Sequence, residues 1–431
     1  RIIKKATAFD PADRYQNVQA LLLAIRNVRR QTERGENKWL KAVVAIESIV
    51  LLLVLAGVLF FWTGFQKTKN MEEEDYAAAI AERQIKQQDE SAEDLSAQAD
   101  SEEIVTLEGD PLLLQAIRET AGSNEVTKRM LSGITRIAVI GDQIYTEETP
   151  VEDLENIVYQ DGFNDGMVNG GITDLSVLTN LPNLKEVFLC NQKISDISPL
   201  QELPIEGLYV CGNQIKDFSP VEKMQELSTL YLVDNPVGKM PQLSGCTKLT
   251  RLALCGNDYE TLDFLQGSSV CNLYAMGIYV EDESFGVLST MQSLTELYTG
   301  SEQKQFYEIL PELTELRTLS LWGGNFGTDL TIVSKLVNLQ NLFVNDEFVT
   351  SLSGIENLQR LEVFCMDGTN ATDISPLTKL PRLQVVRLQG VPIVEFPPLF
   401  SCHSLQEVEA DSSQKEKIEQ LGDPVFMIFV E

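Results

Sequence analysis

The sequence predicts an α/β solenoid of stacked repeats, capped by a short helix and preceded by one membrane-spanning helix. Three observations carry this: a leucine pattern returning about every 22 residues from Leu184 to Leu405, an apolar run from Ala42 to Trp62, and a helix marked at both ends by Asp110 and Gly122. Composition excludes several functions. Among 431 residues there are 34 Lys or Arg against 64 Asp or Glu, a net charge of -30. Phosphate-backbone binding needs clustered cations, so nucleic acid is not an expected partner. His403 is the sole histidine, and no window reads as a Walker loop, a G-x-G-x-x-G turn or a C-x-x-C pair. No catalytic residue and no metal site is therefore expected on this chain. Asp161 to Gly166 has the outline of a calcium loop, but Phe163 takes a ligand's place and the distal Glu is missing.

The charge changes sign at the apolar run. Residues 1–65 sum to +5 and the remainder to -35. Ala42 to Trp62 holds 21 residues with Glu47 as its one charge, and as a helix it would be about 31 Å long, the thickness of a hydrocarbon core. It is too long and too far into the chain for a cleaved signal peptide. Arg26, Arg29, Arg30, Arg34, Lys38 and Lys41 crowd its N-terminal flank, whereas Glu72, Glu73, Glu74 and Asp75 follow on the other side. The expectation is a single-pass protein in the cell membrane, N-terminus cytoplasmic and C-terminal mass extracellular. Trp39 and Trp62 mark the two interfaces, and Glu47 is expected to snorkel toward the inner headgroups of the lipid bilayer. The expected organisation is a cytoplasmic segment over 1–38, the transmembrane helix over 39–65, an acidic stalk over 66–109, a capping region over 110–133 and repeats over 134–431. The stalk reading rests on 13 acidic against 2 basic residues from Met71 to Gly109, with almost no apolar periodicity.

Ile2 to Tyr15, followed by Val18, Leu21, Leu22 and Ile25 at helical spacing, reads as helix, Asp10-Pro11 turn, helix. This stretch resembles the end of the C-lobe of bacterial Ser/Thr protein kinases, where an Asp-Pro-x-x-Arg-Tyr segment joins the last two helices. The resemblance implies a structural role for Asp10 and Arg14, with Arg14 pairing the glutamate that closes the activation segment. It covers about 25 of 431 residues. The chain opens with Arg1 rather than Met, so it is expected to be part of a longer protein. ATP and Mg are implied only for that upstream kinase domain; its catalytic parts are not on this chain.

Asp110 supplies a helix N-cap and Pro111 the first helical position, Leu113, Leu114 and Ile117 form one apolar stripe, and Gly122 offers a left-handed stop. Such a helix must cover something, and the open end of the repeat core follows it. The repeat template is L-x-x-L-x-L-x-x-N-x-I-x-x-I-x-x-L. Its first positions are Leu184, Ile205, Leu227, Leu249, Val270, Leu294, Leu316, Leu339, Leu358, Leu383 and Leu405, and two degenerate copies precede them near Ile134 and Gly162. The intervals of 19 and 25 around Leu358 are the least regular. Each unit should give one parallel strand with its fourth and sixth residues inward, as in Leu230 and Leu232 or Leu319 and Leu321. Asn213, Asn235 and Asn257 fall where a side-chain amide can serve backbone groups left open by the coil. No repeat closes its own core, so the units stack into a leucine-rich-repeat horseshoe.

Ile194 to Leu200, Asp217 to Val221 and Thr372 to Leu377 carry Asp-Ile-Ser-Pro-Leu or close variants, and look like the signature of internalin-type bacterial repeats. With the cap helix, this resemblance covers about 110–431 and implies a domain that binds protein or glycan ligands on its concave face.

Alternation puts the fifth template residue on that face. Reading along the repeats gives Phe188, Tyr209, Tyr231, Ala253, Tyr274, Tyr298, Ser320, Phe343, Glu362, Arg387 and Glu409, six of them aromatic against 7% for the whole chain. Trp322 and Phe364 lie two residues further on, and Glu186, Asp234, Glu296, Arg360 and Arg387 flank the stripe. The expected ligand face is therefore Phe188, Tyr209, Tyr231, Tyr274, Tyr298, Trp322, Phe343, Phe364 and Arg387, because exposed aromatics offer contact area with few rotors to freeze. Removing Tyr231, Tyr274 and Tyr298 together is expected to cost binding and little stability. Cys190 and Cys211 take the same outward position on adjacent strands, near disulfide range, while Cys246 and Cys402 should fill core positions. The expected function is a receptor whose repeats bind an extracellular protein or glycan and whose upstream kinase responds to clustering of the helices. That self-association is marked by no Gly-x-x-x-Gly face. The alternative is a non-catalytic adhesin or scaffold.

Overall fold

The computed structural model describes residues 102–160, 169–281, 284–300, 303–323, 326–422 and 424–430. The kinase-like stretch with Asp10 and Arg14, the run Ala42 to Trp62 and the loop Asp161 to Gly166 lie outside them. Among the described residues no helix is long and apolar enough to cross a membrane.

The N-terminal end forms as its capping residues direct. Strands β1 (Ile104–Val105) and β2 (Val126–Thr127) pair antiparallel around helix α1 (Pro111–Ala121). The Asp110 carboxylate accepts the Leu112 N–H at 2.9 Å, and Gly122 at φ 67° closes the last turn. Helix α2 (Lys128–Gly133) follows. Leu113, Ala116 and Ile117 are buried in the same core as Leu131, Ile137 and Val139, so α1 closes the first coil as the stripe requires.

The repeats build one sheet. Its strands begin with β3 (Arg136–Ile140) and β4 (Gln143–Tyr145), which are followed by helix α3 (Val151–Gln160). Then come β5 (Glu186–Cys190), β6 (Gly207–Tyr209), β7 (Thr229–Tyr231) and β8 (Arg251–Ala253). After the short β9 (Asp258–Tyr259) are β10 (Asn272–Met276), the short β11 (Tyr279–Val280), β12 (Glu296–Gly300), β13 (Thr318–Trp322) and β14 (Asn341–Asn345). The last are β15 (Val363–Cys365), β16 (Val385–Arg387), β17 (Glu407–Glu409) and β18 (Met427–Phe429). Fourteen strands run in the order β4-β3-β5-β6-β7-β8-β10-β12-β13-β14-β15-β16-β17-β18, all parallel except the β3–β4 hairpin; β9 and β11 pair separately.

The inward residues merge into one continuous core along the array; Leu230, Leu232, Leu319 and Leu321 are fully buried within it. Asn213, Asn235 and Asn257 are buried and form the expected ladder. The Asn213 amide donates to Leu189 O at 2.7 Å and Val210 O at 3.0 Å, while its oxygen accepts Ile194 N–H at 3.1 Å. Asn235 repeats this with Val210 O at 2.9 Å and Ile215 N–H at 3.1 Å, so each amide ties two coils together. The Asp-x-Ser turns have a local cause as well: Asp196 accepts Ser198 N–H at 2.8 Å and Asp373 accepts Ser375 N–H at 2.7 Å, capping the short 3₁₀ turns that return the chain.

Two expectations fail on register. Phe343 pairs with Cys365 and Cys365 with Arg387, so the first template position of that unit is Leu361, not Leu358, and the intervals become 22 and 22. A shift of one or three residues moves a side chain through the sheet. Phe364 is consequently buried in the main core instead of facing ligand, and Cys365 stands in place of Glu362. Arg360 falls in the turn before the strand, where Nη1 donates to Asn338 Oδ1 at 2.9 Å. The second departure is at the start of the array. Arg136 of β3 pairs with Glu186 of β5, fifty residues on, whereas Glu186 and Gly207 of the next pair are twenty-one apart. The segments near Ile134 and Gly162 are thus one repeat, not two. Ile172, Leu175 and Leu178 supply its buried return, and the extra chain forms β4 and α3.

Candidate functional site

The register sets the outward residues in three columns. The central one runs Ala138, Phe188, Tyr209, Tyr231, Ala253, Tyr274, Tyr298, Ser320, Phe343, Cys365, Arg387, Glu409. Phe188, Tyr209, Tyr231, Tyr274, Tyr298 and Phe343 therefore share this column. It does not lie open along its length.

From β3 to β8 the face is covered by α3. Leu154 and Val158, one turn apart on the helix, are fully buried with Ile140, Phe188, Cys190, Tyr209, Cys211, Tyr231, Val233, Ala253 and Cys255, in a second hydrophobic core distinct from that inside the coils. Phe188 and Tyr209 stack at 3.9 Å between ring centroids, and Tyr209 meets Tyr231 edge-on at 4.9 Å. One polar clamp holds the helix. Glu155 accepts from Arg251 Nη1 and Nη2 at 2.8 and 2.9 Å, and from the Tyr209 hydroxyl; Arg251 Nη2 also donates to Tyr231 Oη at 2.8 Å. Burial, then the Glu155 carboxylate, drives the Tyr209 hydroxyl well above the usual phenol range, so it stays a donor. Phe188, Tyr209 and Tyr231 are accordingly structural residues beneath a lid of the chain's own making, and the expectation that they face solvent is corrected. A helix signal was available in Pro150, the acidic pair Glu152 and Asp153, and apolar Leu154, Ile157 and Val158, but it sits in a stretch whose leucine pattern resembles a weak repeat.

Beyond β8 the face opens into a groove of about 460 Å³, lined among others by Tyr274, Tyr298, Trp322, Phe343, Asp367 and Arg387. Five of the nine residues expected from sequence thus share one cavity. Tyr274 and Tyr298 stack at 4.4 Å, and Tyr274 meets the covered Tyr231 edge-on at 5.9 Å, so the groove continues the covered core. Trp322 is 56% exposed, an unusual burden for that side chain without a partner. Beside it, position 300 is glycine because a Cβ there would stand 2.2 Å from the Trp322 carbonyl oxygen. Arg387 lies with Nε 2.9 Å from Glu409 Oε2. Sequence reasoning did not assign Asp367 and Cys365: the Cys365 thiol donates to Asp367 Oδ2 at 3.1 Å, and Asp367 Oδ1 accepts Gln389 N–H at 2.8 Å. The flanking Glu186 is paired with Arg136 at 2.8 Å at the covered end. Among the described residues no cluster of His, Cys, Asp or Glu could hold a metal ion.

All seven cysteines are thiols; Cys190 and Cys211 are unbridged neighbours under α3, and Cys246 and Cys402 fill core positions. Burial raises several of them. Cys255 and Cys402 are pushed up to about 11, and Cys365, buried and beside Asp367, to about 12, from an ordinary 9.0. A raised thiol pKa in the fold means that ionisation favours the unfolded chain. Stability from this source is complete below about pH 9 and is lost as pH climbs toward 11 to 12. The urea midpoint is expected to fall over that window, and to fall less in a variant carrying Cys255→Ala, Cys365→Ala and Cys402→Ala; parallel curves would refute the assignment.

No family model matches the sequence, and no curated protein matches it. Solved structures do. An internalin of Listeria monocytogenes aligns over 75% of this chain and 89% of its own, at 20% identity and a TM-score of 0.51. A leucine-rich-repeat protein of Leptospira interrogans aligns over 61% of this chain and 76% of its own, at 19% identity and a TM-score of 0.43. The likeness to the internalin is one of fold, and with the fourteen-stranded sheet it makes the described residues a leucine-rich-repeat solenoid.

Proposed function

We propose that the chain is the ligand-binding part of a single-pass membrane receptor, and that the groove from β10 to β16 is where an extracellular protein is bound. The observation that carries this is the groove itself: four aromatic side chains and a guanidinium on a rigid parallel sheet, with Trp322 left exposed. Rigid aromatic area ringed by a few charges is what recognition of a protein surface uses, since little side-chain entropy is lost on contact. The fold is that of an internalin, which supports a surface role for the repeats. The charge break and the apolar run Ala42 to Trp62 support anchoring in the bilayer, and the stretch from Asp10 to Tyr15 supports an upstream cytoplasmic Ser/Thr kinase domain, which would bring the ATP and Mg.

Cells displaying the full chain, exposed to fractionated extracellular protein, test the groove. Capture is expected to fall at least about tenfold with Tyr298→Ala and Trp322→Ala together, the scale of a central aromatic pair. Equal capture by wild type and variant would remove the groove from consideration. External protease should trim the C-terminal mass on intact cells, and the coding sequence upstream of Arg1 should hold a nucleotide-binding Lys and a catalytic Asp; a different domain there ends the kinase reading.

A further inference from the structure

On the covered half of the face the chain's own helix α3 is seated. There the aromatic column receives an amphipathic helix through two features: apolar side chains one turn apart, Leu154 and Val158, seat on the rings, and one carboxylate, Glu155, takes the full fork of an arginine on the sheet. The open half offers the same two features, and among the described residues no helix is seated on them. Tyr274, Tyr298 and Phe343 continue the same column, Trp322 stands in the column beside it, and Tyr274 is shared between the covered core and the groove. Arg387 lines the groove, and its single ion pair is through Nε to Glu409; its terminal nitrogens meet no partner among the described residues.

We propose that the groove binds a short amphipathic helix presented by the partner protein, its apolar residues at i and i+4 over Tyr298, Trp322 and Phe343 and a carboxylate gripped by the Arg387 fork. This rests on the reading of the groove as the ligand site and narrows it to a helical protein element. An extended peptide would lay alternate side chains along the sheet, and a glycan would bring no carboxylate at helical spacing to apolar groups. The inserted helix α3 also limits the site: a partner helix can run from β10 onward but not across β3 to β8.

The sequence of α3 is itself the probe. A fluorescent peptide of residues 150–160, stapled between positions 152 and 156 on the helix face exposed in the protein, is titrated against the full chain in detergent micelles. Saturable binding is expected, weakened about tenfold by Trp322→Ala and by Arg387→Gln. The peptide with Glu155→Gln should bind wild type about tenfold less well, yet bind the Arg387→Gln protein no worse than the parent peptide does, because the two changes remove one contact. An unstapled peptide with Asn156→Pro should not bind. If the proline peptide binds as well as the stapled one, or the two carboxamide changes act independently, the helix proposal falls while the groove remains a ligand site. If neither stapled binding nor any effect of Trp322→Ala is seen, both fall.

Discussion

Tyr231→Ala is expected to lose about 4 kcal/mol of stability, and Trp322→Ala less than about 1 kcal/mol, although both side chains stand on the same face of the same sheet. Tyr231 is buried, lies between Tyr209 and Tyr274, and accepts a hydrogen bond from Arg251; its removal leaves a cavity and takes a partner from a guanidinium that is itself half-buried. Trp322 projects from the groove, so the folded chain gives up little when it is cut back. Guanidinium unfolding of the two variants measures this directly. The triple change of Tyr231, Tyr274 and Tyr298, expected from sequence to spare stability, is thus expected to damage it through Tyr231. Similar losses at positions 231 and 322 would mean that α3 does not cover the face.

Leu154→Asp is expected to detach α3 while leaving the solenoid folded. Leu154 and Val158 bury their side chains completely, which contributes roughly 4 kcal/mol to docking. An unpaired carboxylate in place of Leu154 removes half of that and adds a desolvation penalty of several kcal/mol. The core inside the coils is separate, so the repeats have no reason to melt. Cys190, Cys211 and Cys255 then meet solvent, and a neutral thiol reagent at pH 8 should label them on the order of a hundred times faster than in wild type, with far-UV dichroism nearly unchanged. Labelling at the wild-type rate would show that the helix is not the barrier; collapse of the dichroism would show that the two cores are one cooperative unit.

How far these features can be read from the sequence depends on the range of the interactions that make them. The cap helix is written in Asp110, Pro111 and Gly122 because capping is satisfied within a turn. The asparagine ladder and the Asp-x-Ser turns are legible for the same reason, their bonds being set by a fixed place in each repeat. The sequence places the start of this unit at Leu358 because Leu358, Leu361 and Val363 together fit the template, and only pairing with β14 and β16 reveals the slip of three residues that makes Leu361 the start. Phe364 was lost from the site by that slip alone.

A period near 22 residues with leucine at fixed offsets leaves no arrangement but stacked coils with three columns of side chains facing out, because no single unit can keep water from its own apolar residues. Which of those columns remains open to a partner is a different matter. It turns on a helix in an interrupted first repeat folding back over strands as far along as Arg251, 96 residues from Glu155. Contacts at that separation are won by complementary surfaces once the coils have stacked, and nothing in the local order of residues encodes them.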